Sequence, residues 1–221
     1  MKKKRSKRDE FLSLVPEQVK TVFDVGCGKG DLGFKLKQQG KTVIGSEINP
    51  ALCTIAVEKL DKVIPGDIEK AQLPFSKGHF DCILYADILE HLVRPSALLR
   101  RLRDYLSDNG VIVASIPNIR YYKVIKKLIF NGVWDYTDKG ILDSSHLRFF
   151  TLLNIKELIE EAGFDVLEVK SNIVASRFLK MLNFILFGLL KDFLAYQYYI
   201  KAKKSLSDAD TCKKIRKKVS F

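Results

Sequence analysis

Four glycines and two acids, spread over the first strand-to-helix turn and the strand after it, are well suited to bind a ligand. The segment VFDVGCGKGDLG places Gly26, Gly28, Gly30 and Gly33 directly after an apolar run. Gly28, Gly30 and Gly33 satisfy G-x-G-x-x-G, a pattern that lets the backbone approach a pyrophosphate at a helix N-terminus. Glu47 follows Gly28 by nineteen residues, where an acid can bind ribose. One interpretation is therefore a dinucleotide site.

The acids of this region favour a second interpretation. Asp24 precedes the alternating glycines, Glu47 ends the next predicted strand, and Asp67 in PGDIE follows the third. An adenosyl sulfonium ligand has no phosphate, and its positive sulfur and amino acid tail suit an acid at Asp24. Glu47 can accept the ribose hydroxyls, and Asp67 can accept the adenine amino group. A lone acid is more often a helix cap, but three acids at three successive strand ends indicate a shared ligand.

A second group of titratable residues follows the fourth predicted strand and a later polar loop. His146 in SSHLRFF falls in a segment expected to close over an acceptor, and imidazoles suit general base catalysis, with a loop hydrogen bond as the alternative. Asp87, Glu90 and His91 in ADILEHL form a D-x-x-E-H cluster whose carboxylates could hold Mg²⁺ from one helical face. We prefer Asp87 beside the cofactor tail or acceptor, and predict no metal. His79 is interpreted as structural.

Basic side chains also cluster after the fifth predicted strand and in the polar loop. A solvated helix face accounts for them, and the alternative is a site for a phosphate, sugar-nucleotide or lipid-phosphate acceptor. These residues are Arg120, Lys123, Lys126, Lys127 and Arg148, with Tyr121 and Tyr122 among them.

Short apolar runs alternate with helical patterns from residue 20 onward, which is typical of a parallel sheet covered by helices on both faces. Strands are predicted near residues 20–25, 41–46, 61–65, 79–85, 110–116, 164–171 and 194–203. Asn49 is placed to cap the second helix. A later helix is predicted to begin with a capping box formed by Asn154 and Glu157, and to end at Gly163.

Charge is concentrated at the two ends of the 221-residue chain. Residues 1–10 carry six basic and two acidic side chains, and residues 201–221 carry eight and two, so the ends hold +10 of the net +12. A nucleic-acid reader would place charge and aromatic platforms on a folded groove, which weighs against a nucleic-acid partner. We interpret 1–10 and 205–221 as basic tails of a domain at 11–204. The tails are either solvated ends or contacts to an anionic membrane.

The cysteines and the apolar segments bear on location. Cys27, Cys53, Cys82 and Cys212 form no C-x-x-C motif and are interpreted as reduced thiols. No apolar segment of a signal peptide follows the basic N-terminus. The most apolar stretch, residues 178–194, contains charges and is shorter than the roughly 20 apolar residues that span a bilayer. We predict a cytoplasmic protein that at most lies on a membrane.

With these motifs in place, the chain resembles the class I S-adenosylmethionine-dependent methyltransferases, in particular the type 11 group that includes the ubiquinone-biosynthesis O-methyltransferases. The resemblance covers roughly residues 20–170 and rests on VFDVGCGKGDLG, VIGSEINP, GDIE, FDCILYADILEHL and LSDNGVIVASIPN. HLRFFT followed by EEAGF, and the late QYYIKAKK, look more narrowly like methyltransferases of glycan and cell-surface polysaccharide biosynthesis.

The resemblance implies an α/β fold with a doubly wound, Rossmann-like sheet of seven strands in the order 3-2-1-4-5-7-6, the last strand antiparallel. Segments 118–150 and 172–192 would then be acceptor-side lids or insertions. D-x-x-E-H resembles the E-x-x-E-H run that binds a divalent metal in the ubiquinone O-methyltransferases, with Asp87 as a shorter first acid. Cofactor-binding residues are predicted to be Asp24, Gly26, Cys27, Gly28, Gly30, Glu47, Ile48, Asp67, Ile68 and Ala86, and catalytic residues His146 and Asp87.

The predicted function is methyl transfer from S-adenosyl-L-methionine to a small molecule or to a glycan or lipid-linked precursor, by O-methylation. A sulfonium methyl group is already activated, so such an enzyme must align donor with acceptor and remove the hydroxyl proton. One alternative is a methyltransferase-like domain that keeps the cofactor but has a binding role at a membrane. The other is an NAD-dependent oxidoreductase, for which the short chain leaves little room.

Overall fold

A mixed sheet organises the computed structural model, which describes residues 7–205. The strands are β1 (Thr21–Val25), β2 (Thr42–Glu47), β3 (Lys62–Pro65), β4 (Phe80–Ala86), β5 (Leu106–Pro117), β6 (Phe164–Ile173) and β7 (Ala195–Lys204). The helices are α1 (Lys7–Leu12), α2 (Asp31–Lys37), α3 (Pro50–Val57), α4 (Pro95–Arg103), α5 (Tyr122–Asn131), α6 (Leu152–Glu161), α7 (Arg177–Ile185) and α8 (Lys191–Leu194), with a 3₁₀ turn at Leu89–His91. Each predicted strand is present.

The strand order is β3-β2-β1-β4-β5-β7-β6, which confirms the predicted fold. β7 runs antiparallel to both of its neighbours, and the pairs from β3 to β5 are parallel. The chain moves outward from β1 to β3 and then crosses back to β4 on the other side of β1. Ligands of such sheets bind outside the carboxyl ends of the strands at this reversal of order.

The two faces of the sheet are buried by alternate residues of the same strands. On β1, Phe23 and Val25 join one apolar cluster, and Val22 joins the other. On β4, Tyr85 belongs to the first cluster and Leu84 to the second. Both faces are therefore covered, which is why these strands have near-continuous apolar sequences.

The N-terminal boundary differs from the predicted one. Helix α1 begins at Lys7, inside the segment that we assigned to the basic tail, and Phe11 and Leu12 are buried against the sheet. Asp9 pairs with Lys35 of α2 at 2.8 Å. Residues 1–6 and 206–221 lie outside the described residues, so the hypotheses about the tails there stay predictions.

Helix caps were predicted with mixed success. The Asn49 side chain accepts from the backbone N–H groups of Ala51 and Leu52, which confirms it as the cap of α3. Gly163 follows α6 with a positive φ of 86°. The capping box at Asn154 is wrong because Thr151, one turn earlier, caps α6 by accepting from the Asn154 N–H at 3.3 Å. Starting there lets α6 include Leu152, which packs on the core.

The segment between β6 and β7 contains α7 and α8, and the role of residues 172–192 as an acceptor-side lid or insertion stays a prediction. Within residues 7–205, no helix combines the length and the apolar character needed to cross a membrane.

Replacing the cap should reveal which residue begins α6. We expect Thr151→Ala to lower the free energy of unfolding by about 1 kcal/mol, because an N–H of the first turn loses its acceptor. Chemical denaturation of both single variants measures this. Asn154→Ala should cost less, and a larger loss for Asn154→Ala than for Thr151→Ala would contradict the assignment.

Candidate cofactor and acceptor site

A cavity of about 530 Å³ opens at the carboxyl edge of the sheet, where β1 and β4 lie side by side. Six of the predicted site residues line it: Asp24, Gly26, Cys27, Gly28, Ala86 and Asp87. The cavity therefore occupies the position that the strand order predicts for a ligand.

The glycine turn after β1 forms one wall. Gly26, Gly28 and Gly30 have positive φ values of 67°, 56° and 75°, a conformation that favours glycine. A Cβ on Gly26 would lie 2.7 Å from the Ile88 side chain, whereas a Cβ on Gly28 would meet nothing within 4 Å. The turn thus packs tightly behind Gly26 and leaves the space at Gly28 open. Burial raises the pKa of Cys27 to about 12, so its thiol stays protonated.

Glu47 holds the turn from the end of β2. Its carboxylate accepts from the Gly28 N–H at 2.8 Å and from the Asn49 N–H at 2.9 Å, one bond to each oxygen. Each carboxylate oxygen has a second lone pair. Glu47 is therefore held in place by the backbone and still has capacity to accept from two hydroxyl groups.

Asp24, the last acid of β1, is almost completely buried, and its Oδ2 has no hydrogen-bond partner among the described residues. Burial, and then the charge of Glu47, raise the pKa of Asp24 to about 7. An unpaired buried carboxylate costs free energy that a cationic ligand group would offset. Asp24 also lines the cavity, so a buried acid with one unpaired oxygen lies beside the glycine turn.

The remaining predicted cofactor residues lie outside the cavity wall. Asp67 accepts from the Glu69 N–H at 2.9 Å and pairs with Lys70 at 3.2 Å; the Glu69 bond, with Lys70, holds its pKa below the usual range. Ile68 is buried in the core, whereas Ile48, next to Glu47, is 66% exposed. Gly30 forms the N-cap of α2. Their roles toward a cofactor stay predictions.

Asp87 follows β4 and projects into the cavity with an unusual backbone, since its φ is 53°. Its Oδ1 accepts from the Ser115 hydroxyl at 2.9 Å and from the Gln197 amide. Burial raises its pKa, and the two hydrogen bonds oppose that rise. The arrangement gives a cavity-lining carboxylate whose position is set by β5 and β7.

Ser115 and Gln197 are site residues that the sequence analysis missed. Ser115 lies between buried apolar residues of β5 and Gln197 between two tyrosines of β7, and this isolation of a polar residue was the available signal. Arg8 and Phe11 of α1 also line the cavity, because α1 lies over the glycine turn. No pattern in the basic N-terminus indicated this contact.

His146 does not join the cavity wall but meets Glu90 and His91 beside it. The rings of the two histidines lie 4.7 Å apart between centroids, and His146 Nε2 is 4.0 Å from Glu90 Oε1. Nδ1 of His146 lies 3.0 Å from the Ile141 carbonyl, and Nδ1 of His91 lies 3.2 Å from the Ser145 carbonyl. Because a carbonyl only accepts, both Nδ1 atoms carry protons and both Nε2 lone pairs are free in the neutral rings.

Glu90 completes this cluster as a buried acid. Neither of its oxygens has a hydrogen-bond partner among the described residues, and burial with the nearby charge of Asp87 raises its pKa to about 8. The ligand atoms of Glu90, His91 and His146 all lie within 4.8 Å of one another. The expected pairing of Asp87 with Glu90 or His91 on one helical face does not form, because the left-handed backbone at Asp87 turns its side chain to Ser115 and Gln197.

The sequence matches the family model for a methyltransferase domain over residues 2–169. The chain belongs to this family, and S-adenosyl-L-methionine is the cofactor of such a domain. This membership decides against the dinucleotide interpretation of the glycine turn.

The chain is also similar to curated proteins and to solved structures. A ubiquinone biosynthesis O-methyltransferase of Cereibacter sphaeroides is 29% identical over 71% of this chain and 64% of its own length, so the match spans less than two thirds of that relative. An uncharacterized protein of Methanocaldococcus jannaschii is 29% identical over 82% of this chain and 75% of its own length. A crystal structure of a SAM-dependent methyltransferase from Archaeoglobus fulgidus, 20% identical, has the same fold, with a TM-score of 0.63 over 85% of this chain and 87% of that one.

Asp24 should destabilise the cofactor-free protein. Since its pKa of about 7 lies above the ordinary aspartate value of 3.8, the folded state loses stability as the pH rises from about 4 to 7, and the full cost is present above pH 7. We expect Asp24→Asn to raise the melting temperature of the cofactor-free protein at pH 8, with about 2–4 °C for each kcal/mol recovered.

The pH provides the control for this measurement. At pH 5 Asp24 is already protonated, so thermal denaturation should show a much smaller difference between Asp24→Asn and the unmodified protein. An equal difference at both pH values, or a lower melting temperature for the variant at pH 8, would show that the buried charge is not the cause.

Proposed function

We propose that this chain transfers the methyl group of S-adenosyl-L-methionine to a hydroxyl oxygen of a small-molecule acceptor, with a glycan or lipid-linked precursor as the narrower form of the proposal. The supporting observation is the buried carboxylate of Asp24, one oxygen of which is unpaired, beside a glycine turn whose open position, Gly28, is held by Glu47. This combination offers a negative charge and close backbone approach at one place. The O-methyltransferase name of a relative supports the choice of oxygen as acceptor.

Each part of the cofactor is assigned to a side chain that can still accept a hydrogen bond, pair with a charge or bury apolar surface. Asp24 would pair with the ammonium group of the methionine tail, and Glu47 would accept the two ribose hydroxyls with its remaining lone pairs. Ile48 would lose its exposed apolar surface under the adenine ring. Asp67 would accept the adenine amino group, which requires sharing a carboxylate that now bonds its own turn.

The reaction needs alignment and one proton acceptor. The methyl group leaves the sulfur and bonds to the acceptor oxygen, so the products are S-adenosylhomocysteine, the methylated acceptor and the hydroxyl proton. Asp87 would orient the acceptor or the methionine tail from the cavity wall. His146 would take the proton on Nε2, since its Nδ1 is held by a backbone carbonyl. General base catalysis of this kind contributes on the order of 10²–10⁴ in rate.

The Glu90–His91–His146 cluster also has the donors for a divalent cation. A buried carboxylate without partners and two imidazoles with free Nε2 atoms fit such an ion, and this donor set suits transition metals better than Mg²⁺. A bound cation would supply positive charge that polarises an acceptor oxygen. His146 would then be a ligand, and another group would have to accept the proton.

Cofactor choice is tested by titrating the full chain with S-adenosylhomocysteine and with NADH in a calorimeter. We expect binding of the first and none of the second. Glu47→Ala should weaken S-adenosylhomocysteine binding by about 1 kcal/mol or more, the scale of a lost buried hydrogen bond to charge. Binding of NADH alone would refute the proposal. A second experiment incubates the protein with cell extract and methyl-labelled cofactor. If S-adenosylhomocysteine binds but no labelled product forms, the alternative of a binding role is favoured.

The role of His146 is tested with His79 as a matched control. His79 directly precedes β4, at the end of that strand away from the cavity, and its ring stacks on Phe75. We expect His146→Gln to lower the rate of label transfer about a hundredfold or more, with S-adenosylhomocysteine affinity unchanged. His79→Gln should leave both quantities unchanged.

A metal role for the same residue has its own signature. If the cluster holds a cation, Zn²⁺ raises the melting temperature of the unmodified protein and of His79→Gln, but not of Glu90→Gln or His146→Gln. A shift in all four proteins, or in none, would remove the metal candidate and leave His146 as the proton acceptor.

A further inference from the structure

Helix α7 and the turn after it expose large apolar side chains to solvent. Phe178 and Phe184 on the helix are 65% and 83% exposed, and Phe187 and Leu189 after it are 98% and 78% exposed. Residues Leu179 and Leu182 form the half-buried side, and no residue of α7 is fully buried. Apolar side chains of α7 thus face solvent as well as the rest of the domain.

The backbone at Phe187 adds a second observation. Its φ is 50°, in the left-handed region that a bulky side chain rarely adopts, and Gly188 follows with φ 86°. Such a conformation costs free energy, and within the described residues the Phe187 ring recovers almost none of it by burial. The turn therefore holds an aromatic ring outward, which suits contact with something outside the chain.

This segment leaves the sheet at the same edge as the cavity. β6 is parallel to β5, so its carboxyl end, Ile173, lies at the edge where β5 ends, and Ile173 pairs with Ala195 of β7. The Asn118 side-chain amide donates to the carbonyls of Asp192 and Ala195 at 2.7 and 2.8 Å. Two residues further along β7, Gln197 lines the cavity. The base of the segment is therefore attached next to the acceptor side.

The charges around the apolar surface are positive. Arg177 and Lys180 of α7 are exposed, and Lys191 begins α8. Asp192, the acid that follows Lys191, accepts a hydrogen bond from the Tyr198 hydroxyl at 2.9 Å and forms an ion pair with Arg120 at 3.7 Å. An apolar surface bordered by cations is complementary to a layer of apolar chains bordered by anionic headgroups.

We propose that residues 177–190 dock this protein onto an anionic lipid bilayer, with α7 lying in the plane of the interface. A nine-residue helix is about 14 Å long, so it lies along the surface and buries Phe178, Phe184 and Phe187 among the acyl chains. Arg177 and Lys180 would contact lipid phosphates. A second copy of the chain fits less well, because a symmetric contact would bring the same cations together.

Docking in this orientation turns the carboxyl edge of the sheet toward the lipid. This orientation, together with the proposed function on which the inference about substrate rests, indicates that the acceptor has an apolar part that resides in the membrane. The docking itself does not depend on methyl transfer, so the two proposals can fail separately.

Vesicle co-sedimentation of the full chain tests the docking. Vesicles of phosphatidylcholine with about one quarter phosphatidylglycerol should bind the protein, and vesicles of phosphatidylcholine alone should bind it much more weakly. The pair Phe184→Ser with Phe187→Ser should lower the partition coefficient on the anionic vesicles about tenfold or more. The pair Arg177→Gln with Lys180→Gln should lower it severalfold and weaken its dependence on salt.

Matched controls separate this surface from the general effect of removing exposed apolar side chains and from the general effect of removing two positive charges. Val57→Ser with Leu153→Ser removes two apolar side chains, 60% and 65% exposed, from other helices and should leave binding unchanged. Lys20→Gln with Lys77→Gln removes two positive charges elsewhere and should have a smaller effect than the pair on α7. Calorimetry with S-adenosylhomocysteine should give the same affinity for all variants, which shows that each is folded.

Several outcomes would overturn the proposal. These are equal binding to neutral and anionic vesicles, no binding to either, or unchanged binding after Phe184→Ser with Phe187→Ser. Self-association in analytical ultracentrifugation that this phenylalanine pair abolishes would assign the surface to a second copy. Retained vesicle binding by an unmodified chain that does not bind S-adenosylhomocysteine would overturn the proposed function and leave the docking in place.

Discussion

The carboxylate of Asp24 is buried at the end of β1 with one oxygen unpaired, and this burial, together with the charge of Glu47, raises its pKa to about 7. Two acids at neighbouring strand ends would be separated by water in a flexible chain. Here the parallel pairing of β1 with β2 holds them together, since Asp24 pairs with Gly45 and Val25 with Ser46 along the ladder. The free energy of that pairing offsets the electrostatic cost, so the site is organised before any ligand arrives.

The rest of the site follows from where the strands end. Gly45 makes the close contact between β2 and the glycine turn, because a Cβ there would lie 2.6 Å from the Cys27 sulfur. On the other side of β1, β4 ends at Ala86 and the reversed backbone of Asp87 sends its carboxylate into the cavity. β7, which runs antiparallel, then brings Gln197 to that carboxylate from far along the chain. The cofactor side thus depends on local turns, and the acceptor side on a long-range strand pair.

This difference explains what the sequence could predict. The seven strands were predictable because strands that are buried on both faces have continuous apolar sequences. The glycine turn was predictable because its positive φ values require glycine, so the spacing of the glycines in the sequence indicates the turn. Ser115 and Gln197 were missed because their contact with Asp87 arises only after β5 and β7 pair. His146 was recognised as a candidate, but its meeting with Glu90 depends on a loop that no periodic pattern describes. At α6, Thr151 and Asn154 both satisfy capping rules, and only the packing of Leu152 decides between them.

The net charge of +12 has a different meaning once the fold is known. The ends of the chain contribute most of it, yet Arg8 of the first end lines the cavity. Positive charge near this edge therefore borders the site as well as the exposed surface of α7. A cationic edge would draw an anionic surface toward the side of the domain where the cavity opens, over roughly the Debye length of the solution. Apolar contact by Phe184 and Phe187 would then decide the orientation of the domain on the lipid surface. Electrostatic attraction acts in many orientations, whereas both rings can be buried in the lipid in only one orientation.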